Sequence, residues 1–253
     1  MQKKKFNIVY VFGYLFTMRS NPGVDRISNL PCSVIEHIIG LLPLYDAVRT
    51  SALSKEWSGD INGLVKLELV YVDMELDDLK TLLSKWPMLD YLYMQSPLIK
   101  SDKKECNKEP NHRLPVLKLD EIDFGVPDDV NSVFNLFRSF PNLQTLQISC
   151  AYSLYGDRQV NYKRALDCLK HAQTIPLKHL ENVTILGMPC YAVEREFVKK
   201  LLMWAIELKN LTIFAWSEGV GIEPNRSKIV KKFKKLPRSS SSAKIVFEGR
   251  WRM

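Results

Sequence analysis

The sequence predicts an α/β fold in which a short helical segment precedes a solenoid of repeated strand-helix units. Two observations carry this prediction: a leucine motif recurs six times after residue 60, and amphipathic helical stretches separate its copies. The composition agrees with a globular chain, because 46% of the 253 residues are hydrophobic and 25% are charged. These values exclude a wholly disordered chain, a collagen-like chain and a multi-span membrane protein.

Residues 1–24 precede the first predicted helix and are treated as an N-terminal extension. MQKKK followed by FNIVYVFGYLFTM imitates the basic and apolar parts of a secretory signal. The apolar run has 13 residues, however, whereas a membrane-spanning helix needs about 20, and RSNPGVDR after it offers no small-residue cleavage site. We therefore expect an extension or an anchor, with no export and no membrane partner.

The cysteines indicate a reducing compartment, the cytoplasm or the nucleus or both. Five of them are scattered singly, with no C-x-x-C pair, and an odd number cannot close a complete set of intramolecular disulfides. Cys168 and His171 could share a helical face, but no second pair at zinc-finger spacing accompanies them. The sequence therefore predicts neither a metal site nor a cofactor.

Two helices are predicted between residues 25 and 60. The first starts at Leu30-Pro31 and ends at Pro43, which lacks the N–H that a helix interior needs. The second runs from about Leu44 to Trp57. Both are apolar over more than one face, so they cannot bury all of that surface against each other. Either the rest of the chain or the helices of a partner must cover the remainder.

These residues resemble the F-box of plant F-box proteins. They follow the pattern D-R-I-S-x-L-P-x-x-V-x-x-x-I and then L-L-P-x-x-D-A-V-R-T-S-x-L-S-x-x-W. The resemblance implies that residues 25–60 are an F-box that binds a Skp-type adaptor and, through it, a cullin ubiquitin ligase. The adaptor-binding residues that it implies are Leu30, Pro31, Ile35, Leu42, Pro43, Val48, Leu53 and Trp57.

The segment departs from the plant pattern in two places. Glu56 stands where the family usually has Lys or Arg before the tryptophan. After Trp57 the chain passes through SGDIN directly into the first leucine motif, where relatives usually continue with a longer segment. We therefore expect a truncated F-box and a short stack of repeats.

The repeats follow from residue 61. The motif L-x-x-L-x-L, or a near variant of it, begins at Leu64, Leu89, Leu114, Leu143, Leu180 and Leu208. Its spacings of 25, 25, 29, 37 and 28 residues lie mostly within or near the 20 to 29 residues of a leucine-rich repeat. An ordinary α/β domain with coincidental leucines is the alternative. Six ordered copies separated by helices favour a solenoid with one parallel sheet and a cap at each end.

The last part of the chain is basic. Residues 195–253 contain fourteen Lys and Arg against five acids, whereas the first 194 residues are close to neutral. Within KIVKKFKK, residues 228–235, the spacing of Ile229, Val230 and Phe233, with Leu236 after them, indicates one apolar helical face. A nucleic-acid patch is the alternative to a solvated basic face. Residues 176–253 resemble the FBD region that follows the repeats in many plant F-box proteins, which favours a C-terminal cap and no specific nucleic-acid partner.

The sequence contains no pattern for catalysis. GxSxG, HExxH, GxxxxGK[ST] and GxGxxG are absent, and no histidine has a neighbouring group at a spacing tied to a known mechanism. The resemblance implies a non-catalytic substrate receptor with an F-box at residues 25–60, leucine-rich repeats at 61–175 and an FBD-like region at 176–253. A repeat scaffold or decoy with a defective F-box and a basic nucleic-acid-binding protein are the alternatives. Nothing in the sequence identifies the substrate.

Overall fold

A computed structural model describes residues 6–11, 64–84, 86–101, 113–151, 160–215 and 226–248. These residues form strands on one layer and helices on the other. The strands are β1 (Phe6–Val11), β2 (Leu64–Val70), β3 (Asp73–Glu75), β4 (Tyr91–Gln95), β5 (Leu98–Lys100), β6 (Val116–Ile122), β7 (Thr145–Cys150), β8 (Asn182–Met188), β9 (Asn210–Ala215) and β10 (Lys244–Glu248). The helices are α1 (Leu76–Ser84), α2 (Pro127–Ser139), α3 (Tyr162–His171), α4 (Ala192–Trp204) and α5 (Arg226–Lys234).

One parallel sheet runs through the described residues. Its eight strands lie in chain order as β1-β2-β4-β6-β7-β8-β9-β10, and every neighbouring pair is parallel. Each strand therefore pairs with the strands of the preceding and following repeat, which is the arrangement of a solenoid. The predicted α/β fold with a parallel repeat sheet is confirmed, and the six leucine motifs correspond to β2, β4, β6, β7, β8 and β9.

The leucine motif builds this sheet because alternate residues of a strand point to opposite faces. Along β4, for example, Leu92 and Met94 are fully buried, whereas Tyr91 and Tyr93 between them are only half-buried. The register places the second motif position of successive strands side by side, and they form a row of Leu67, Leu92, Leu117, Leu146, Val183 and Leu211. Burying each such side chain contributes about 1.5 to 3 kcal/mol.

The helices cover the buried face of the sheet, and α2 and α4 contribute four of the buried aromatic side chains. The ring of Phe197 in α4 lies 4.4 Å from that of Phe124 and 6.4 Å from that of Phe137 in α2, measured between centroids. Phe134 of α2 meets Trp204 of α4 edge to face at 5.3 Å. These contacts tie helices of different repeats into one continuous core. No helix of the described residues is long and apolar enough to cross a membrane.

A second, two-stranded parallel sheet of β3 and β5 lies beside the first repeats. The outer edge of β5 is satisfied by side chains of α2 instead of another strand: the backbone N–H of Ile99 donates to Ser132 Oγ at 3.0 Å, and Asn135 Nδ2 donates to the carbonyl of Ile99 at 2.9 Å. Both polar side chains are buried. Helix α2 thus satisfies the outer edge of β5 at Ile99.

A left-handed backbone conformation recurs at or near the C-terminal ends of four strands of the large sheet. Tyr71, Ser96, Glu121 and Gly187 have φ values of 53°, 46°, 57° and 65°, in the left-handed region that only glycine adopts without cost. They follow residues that pair in register from β2 to β4 to β6, and in β8. In β2 and β4 this residue follows the last strand residue, whereas in β6 and β8 it accompanies a register shift, after which Ile122 and Met188 still pair with the next strand.

Both ends of the sheet contain strands outside the leucine motifs. At one end, β1 from the N-terminal extension pairs with β2. At the other end, β10 pairs with β9, and α5 packs its apolar face on the core through Ile229 and Phe233, while Lys231 and Lys232 are exposed. The predicted division of the basic helix into a buried apolar face and a solvated basic face is confirmed.

Candidate functional site

The predicted adaptor-binding residues cannot be placed. Leu30, Pro31, Ile35, Leu42, Pro43, Val48, Leu53 and Trp57 lie outside the described residues. Their role therefore stays a prediction of the sequence. The described residues offer a different candidate site on the large sheet.

The face of the large sheet that is turned away from the helices forms this candidate site, and we call it the open face. It consists of the strand residues that alternate with the buried leucines, and the register aligns them in rows across the repeats. One row contains Lys66, Tyr91, Val116, Thr145, Asn182, Asn210 and Lys244. The next contains Glu68, Tyr93, Lys118, Gln147, Thr184, Thr212 and Val246.

The first repeats place two lysines around one tyrosine on the open face. Lys66 Nζ lies 4.8 Å and Lys118 Nζ 5.5 Å from the centroid of the Tyr91 ring, within the range of cation–π attraction. Lys66 also forms a salt bridge with Glu68, which raises the pKa of its ammonium group. The tyrosine ring and the aliphatic stems of the two lysines present a rigid amphipathic surface.

A second tyrosine is hydrogen-bonded to a carboxylate near the end of the neighbouring strand β6. The hydroxyl of Tyr93 donates to Asp120 Oδ2 at 2.9 Å, and the other carboxylate oxygen of Asp120 accepts the backbone N–H of Glu121 at 3.0 Å. Burial raises the pKa of the Tyr93 hydroxyl, and the hydrogen bond to Asp120 raises it further. Tyr93 therefore stays a neutral hydrogen-bond donor at physiological pH.

Glu121 is the second carboxylate near the end of β6. Its two carboxylate oxygens accept hydrogen bonds from Gln95 Nε2 at 2.8 Å and from Ser96 Oγ at 2.6 Å. The left-handed backbone of Glu121 and Ser96 brings these groups together at the strand ends. The carboxylate is thus held by neutral donors of the neighbouring repeat.

The later repeats carry an uncharged surface. Thr145, Gln147, Thr184 and Thr212 are half-buried, and Asn210 Nδ2 donates to Asn182 Oδ1 at 2.9 Å. These asparagines are the first residues of β8 and β9 and pair in register. The open face therefore changes from charged and aromatic over β2, β4 and β6 to neutral and polar over β7, β8 and β9, and Lys244 of β10 follows.

A small polar cavity of about 90 Å³ lies at the ends of β6 and β7, beside the first turn of α4. Asp123, Cys150 and Glu194 line it. Glu194 is 3% exposed, and its Oε2 has no hydrogen-bond partner in the structure. Burial raises the pKa of Glu194 to about 7, with a smaller contribution from the charge of Asp123. Burial also raises the pKa of the Cys150 thiol, so it is a poor nucleophile.

The remaining candidate groups show no catalytic arrangement among the described residues. His171 is exposed, and its Nδ1 lies 2.9 Å from the carbonyl oxygen of Asp167. Cys168 packs against the core on the inner side of the same helix. His179 lies 3.7 Å from Glu207 at the surface. Within the described part of the chain no three His, Cys, Asp or Glu residues could hold a metal ion.

Comparison with known proteins supports the resemblance over short stretches. No family model matches the chain. An FBD-associated F-box protein of Arabidopsis thaliana is 42% identical over 57 residues, which are 22% of this chain and 12% of that protein. An F-box/LRR-repeat protein of the same plant is 54% identical over 35 residues, 14% of this chain and 8% of that protein. The resemblance to plant F-box proteins with FBD and repeat regions is thereby confirmed at the level of the family, and the matches span about a tenth of each relative.

Sequence reasoning did not identify the open face as a cluster. The leucine motif gives the positions that alternate with the buried leucines, but not which side chains meet across strands. The pairing of Lys66 and Lys118 with Tyr91 depends on the register between three repeats. Aligning the six motifs on their leucines would have placed Lys66 and Tyr91 in one column and Lys118 two columns further on.

Proposed function

We propose that this protein is the substrate-recognition subunit of an SCF-type (Skp-cullin-F-box) ubiquitin ligase. In this proposal residues 25–60 bind a Skp-type adaptor, and the open face binds a protein substrate. The observation that carries the proposal is the repeat sheet, in which one face is covered by helices and the other presents tyrosines, lysines and amides in rows. Repeat arrays use such surfaces for binding proteins. The similarity to two plant F-box proteins supports the adaptor half of the proposal.

In the proposed mechanism the receptor brings two proteins close together and takes no part in the chemical step. The receptor holds the substrate at one end and the adaptor at the other, so that substrate lysines meet the charged ubiquitin carrier at a high effective concentration. No catalytic group of the receptor is required. The protein would act in the cytoplasm or the nucleus without a cofactor.

Adaptor co-purification with the full chain tests this proposal. Trp57→Ala, and separately the double change Leu30→Ala with Pro31→Ala, should abolish binding of a plant Skp-type adaptor. Truncating a tryptophan at the centre of an interface typically costs at least about 2 kcal/mol. Trp57→Phe, which keeps an aromatic ring, is the matched control and should retain most of the binding. Circular dichroism should show the same α/β content in all variants.

The outcome separates the alternatives. Undiminished adaptor binding by both disruptive variants would overturn the F-box assignment. A wild-type chain that folds but does not bind the adaptor would favour the scaffold or decoy. Tight, salt-sensitive retention on DNA in place of adaptor binding would favour the nucleic-acid-binding protein.

A further inference from the structure

The ammonium group of Lys118 is the starting point, because it differs from its neighbours on the open face. The side chain is half-buried and lies over the Tyr91 ring. No carboxylate of the described residues forms an ion pair with it, whereas Lys66, on the other side of the same ring, is paired with Glu68. A partly desolvated ammonium without a counter-ion is costly, and a partner that supplies the counter-ion removes that cost.

The carboxylates near Lys118 are already bonded within the chain. Asp120 accepts hydrogen bonds from Tyr93 and from the backbone of Glu121. Glu121 accepts from Gln95 and Ser96. None of these four hydrogen bonds involves Lys118. Among the described residues, no carboxylate thus supplies a counter-charge to Lys118.

The surroundings of Lys118 are suited to a protein ligand. Tyr91 and Tyr93 lie next to each other on β4, two positions apart on the same face, and Tyr93 pairs in register with Lys118. Tyrosine is enriched among the residues that dominate binding energy at protein interfaces. On the other side, Lys118 pairs with the neutral Gln147, which begins the uncharged part of the open face.

We propose that the protein partner of the open face presents an aspartate or glutamate carboxylate to Lys118 and packs the adjoining side chain on Tyr91 and Tyr93. This inference rests on the proposed function only in taking the open face as the substrate-binding surface. It adds the chemical class of the contact: an acidic peptide segment. A charge-assisted hydrogen bond in this half-buried position would supply orientation as well as affinity.

Selection from a random dodecapeptide library displayed on phage, with the full chain as target, tests the proposal. The selected peptides should contain Asp or Glu at a fixed position. Replacing that residue by Asn or Gln in synthetic peptides should weaken binding, measured by fluorescence anisotropy, about tenfold or more. Lys118→Met should cause a similar loss, and the amide peptide should lose little further on the Lys118→Met chain, because the two changes remove one interaction.

The matched control is Lys163→Met, which removes an exposed lysine of α3 in the helix layer and should leave the affinity unchanged. Selected peptides without a fixed acidic residue, unchanged binding to Lys118→Met, or a library that yields no binder of the open face would each overturn the inference. Adaptor co-purification on the same preparations separates this result from the proposed function. A chain that binds the adaptor but shows no carboxylate preference loses only the inference.

Discussion

Glu194 shows how a single residue sets a pH dependence in this protein. Its carboxyl group lies in the first turn of α4, where backbone N–H groups of Tyr191 and Glu194 donate to it and favour its charge. Burial opposes them and prevails, so the pKa rises from 4.5 to about 7. Between these values the folded protein binds more protons than the unfolded chain, and the free energy of unfolding therefore falls as the pH rises.

We expect Glu194→Gln to remove this dependence. The variant keeps the shape of the side chain and carries no charge, so at pH 8 its free energy of unfolding should exceed that of the wild type by up to about 3 kcal/mol, while the two should be close below pH 4.5. Urea denaturation at a series of pH values measures the difference. Glu207→Gln, at an exposed carboxylate, is the control and should follow the wild type. Parallel stability curves for wild type and Glu194→Gln would contradict the prediction.

At the scale of the element, α5 joins a buried apolar face to an exposed basic one. The Phe233 ring is 1% exposed and lies 5.4 Å from the Phe247 ring of β10, edge to face. Arg238 donates from Nη1 to the carbonyl of Ala243 at 3.1 Å and from Nη2 to that of Lys234. The aromatic contact and the hydrogen bonds of Arg238 therefore both hold α5 close to β10.

Two variants separate the faces of α5. Phe233→Ala should lower the free energy of unfolding by about 3 to 5 kcal/mol, because it leaves a cavity beside β10. Replacing Lys231, Lys232, Lys234 and Lys235 together by Gln should change it by less than about 1 kcal/mol, since all four side chains are exposed. Denaturant melts check both values. If the Gln variant instead abolished tight DNA binding with a steep salt dependence, the helix would be a nucleic-acid site and not a cap.

The elements also show what the sequence could predict. The six motif strands and α1 to α4 follow from periodicity, because their leucines and helical faces are local patterns. The strands β3 and β5 have three residues each, too few for a periodicity, and β5 depends on Ser132 and Asn135 in a helix 33 and 36 residues further along the chain. The open face could not be predicted either, because its side chains meet only through the pairing of strands from different repeats, which lie far apart in the sequence.

On the scale of the whole molecule, the F-box-like segment lies in the sequence between two strands of the sheet. β1 ends at Val11, β2 begins at Leu64, and these two strands are parallel neighbours. Residues 12–63 thus belong to a connection between adjacent strands of one sheet. In a repeat array each unit is stabilised mainly by its neighbours, so β1 acts as the end unit that covers the edge of β2.

This connection predicts that adaptor binding stabilises the repeats as well as the F-box-like segment. Adaptor at about 100 times its dissociation constant should add about 2.7 kcal/mol, which in a chain of this size raises Tm by about 5 to 10 °C in one transition. Trp57→Ala should show no shift. A variant lacking residues 1–11 should bind the adaptor but unfold in two steps, with the shift confined to one of them, because its F-box-like segment is then covalently joined to the sheet at one end only, at Leu64. Differential scanning calorimetry distinguishes these outcomes.

A single shifted transition in the shortened chain would show that β1 is not needed for the coupling between the F-box-like segment and the repeats. No shift in the full chain would favour the decoy over the receptor.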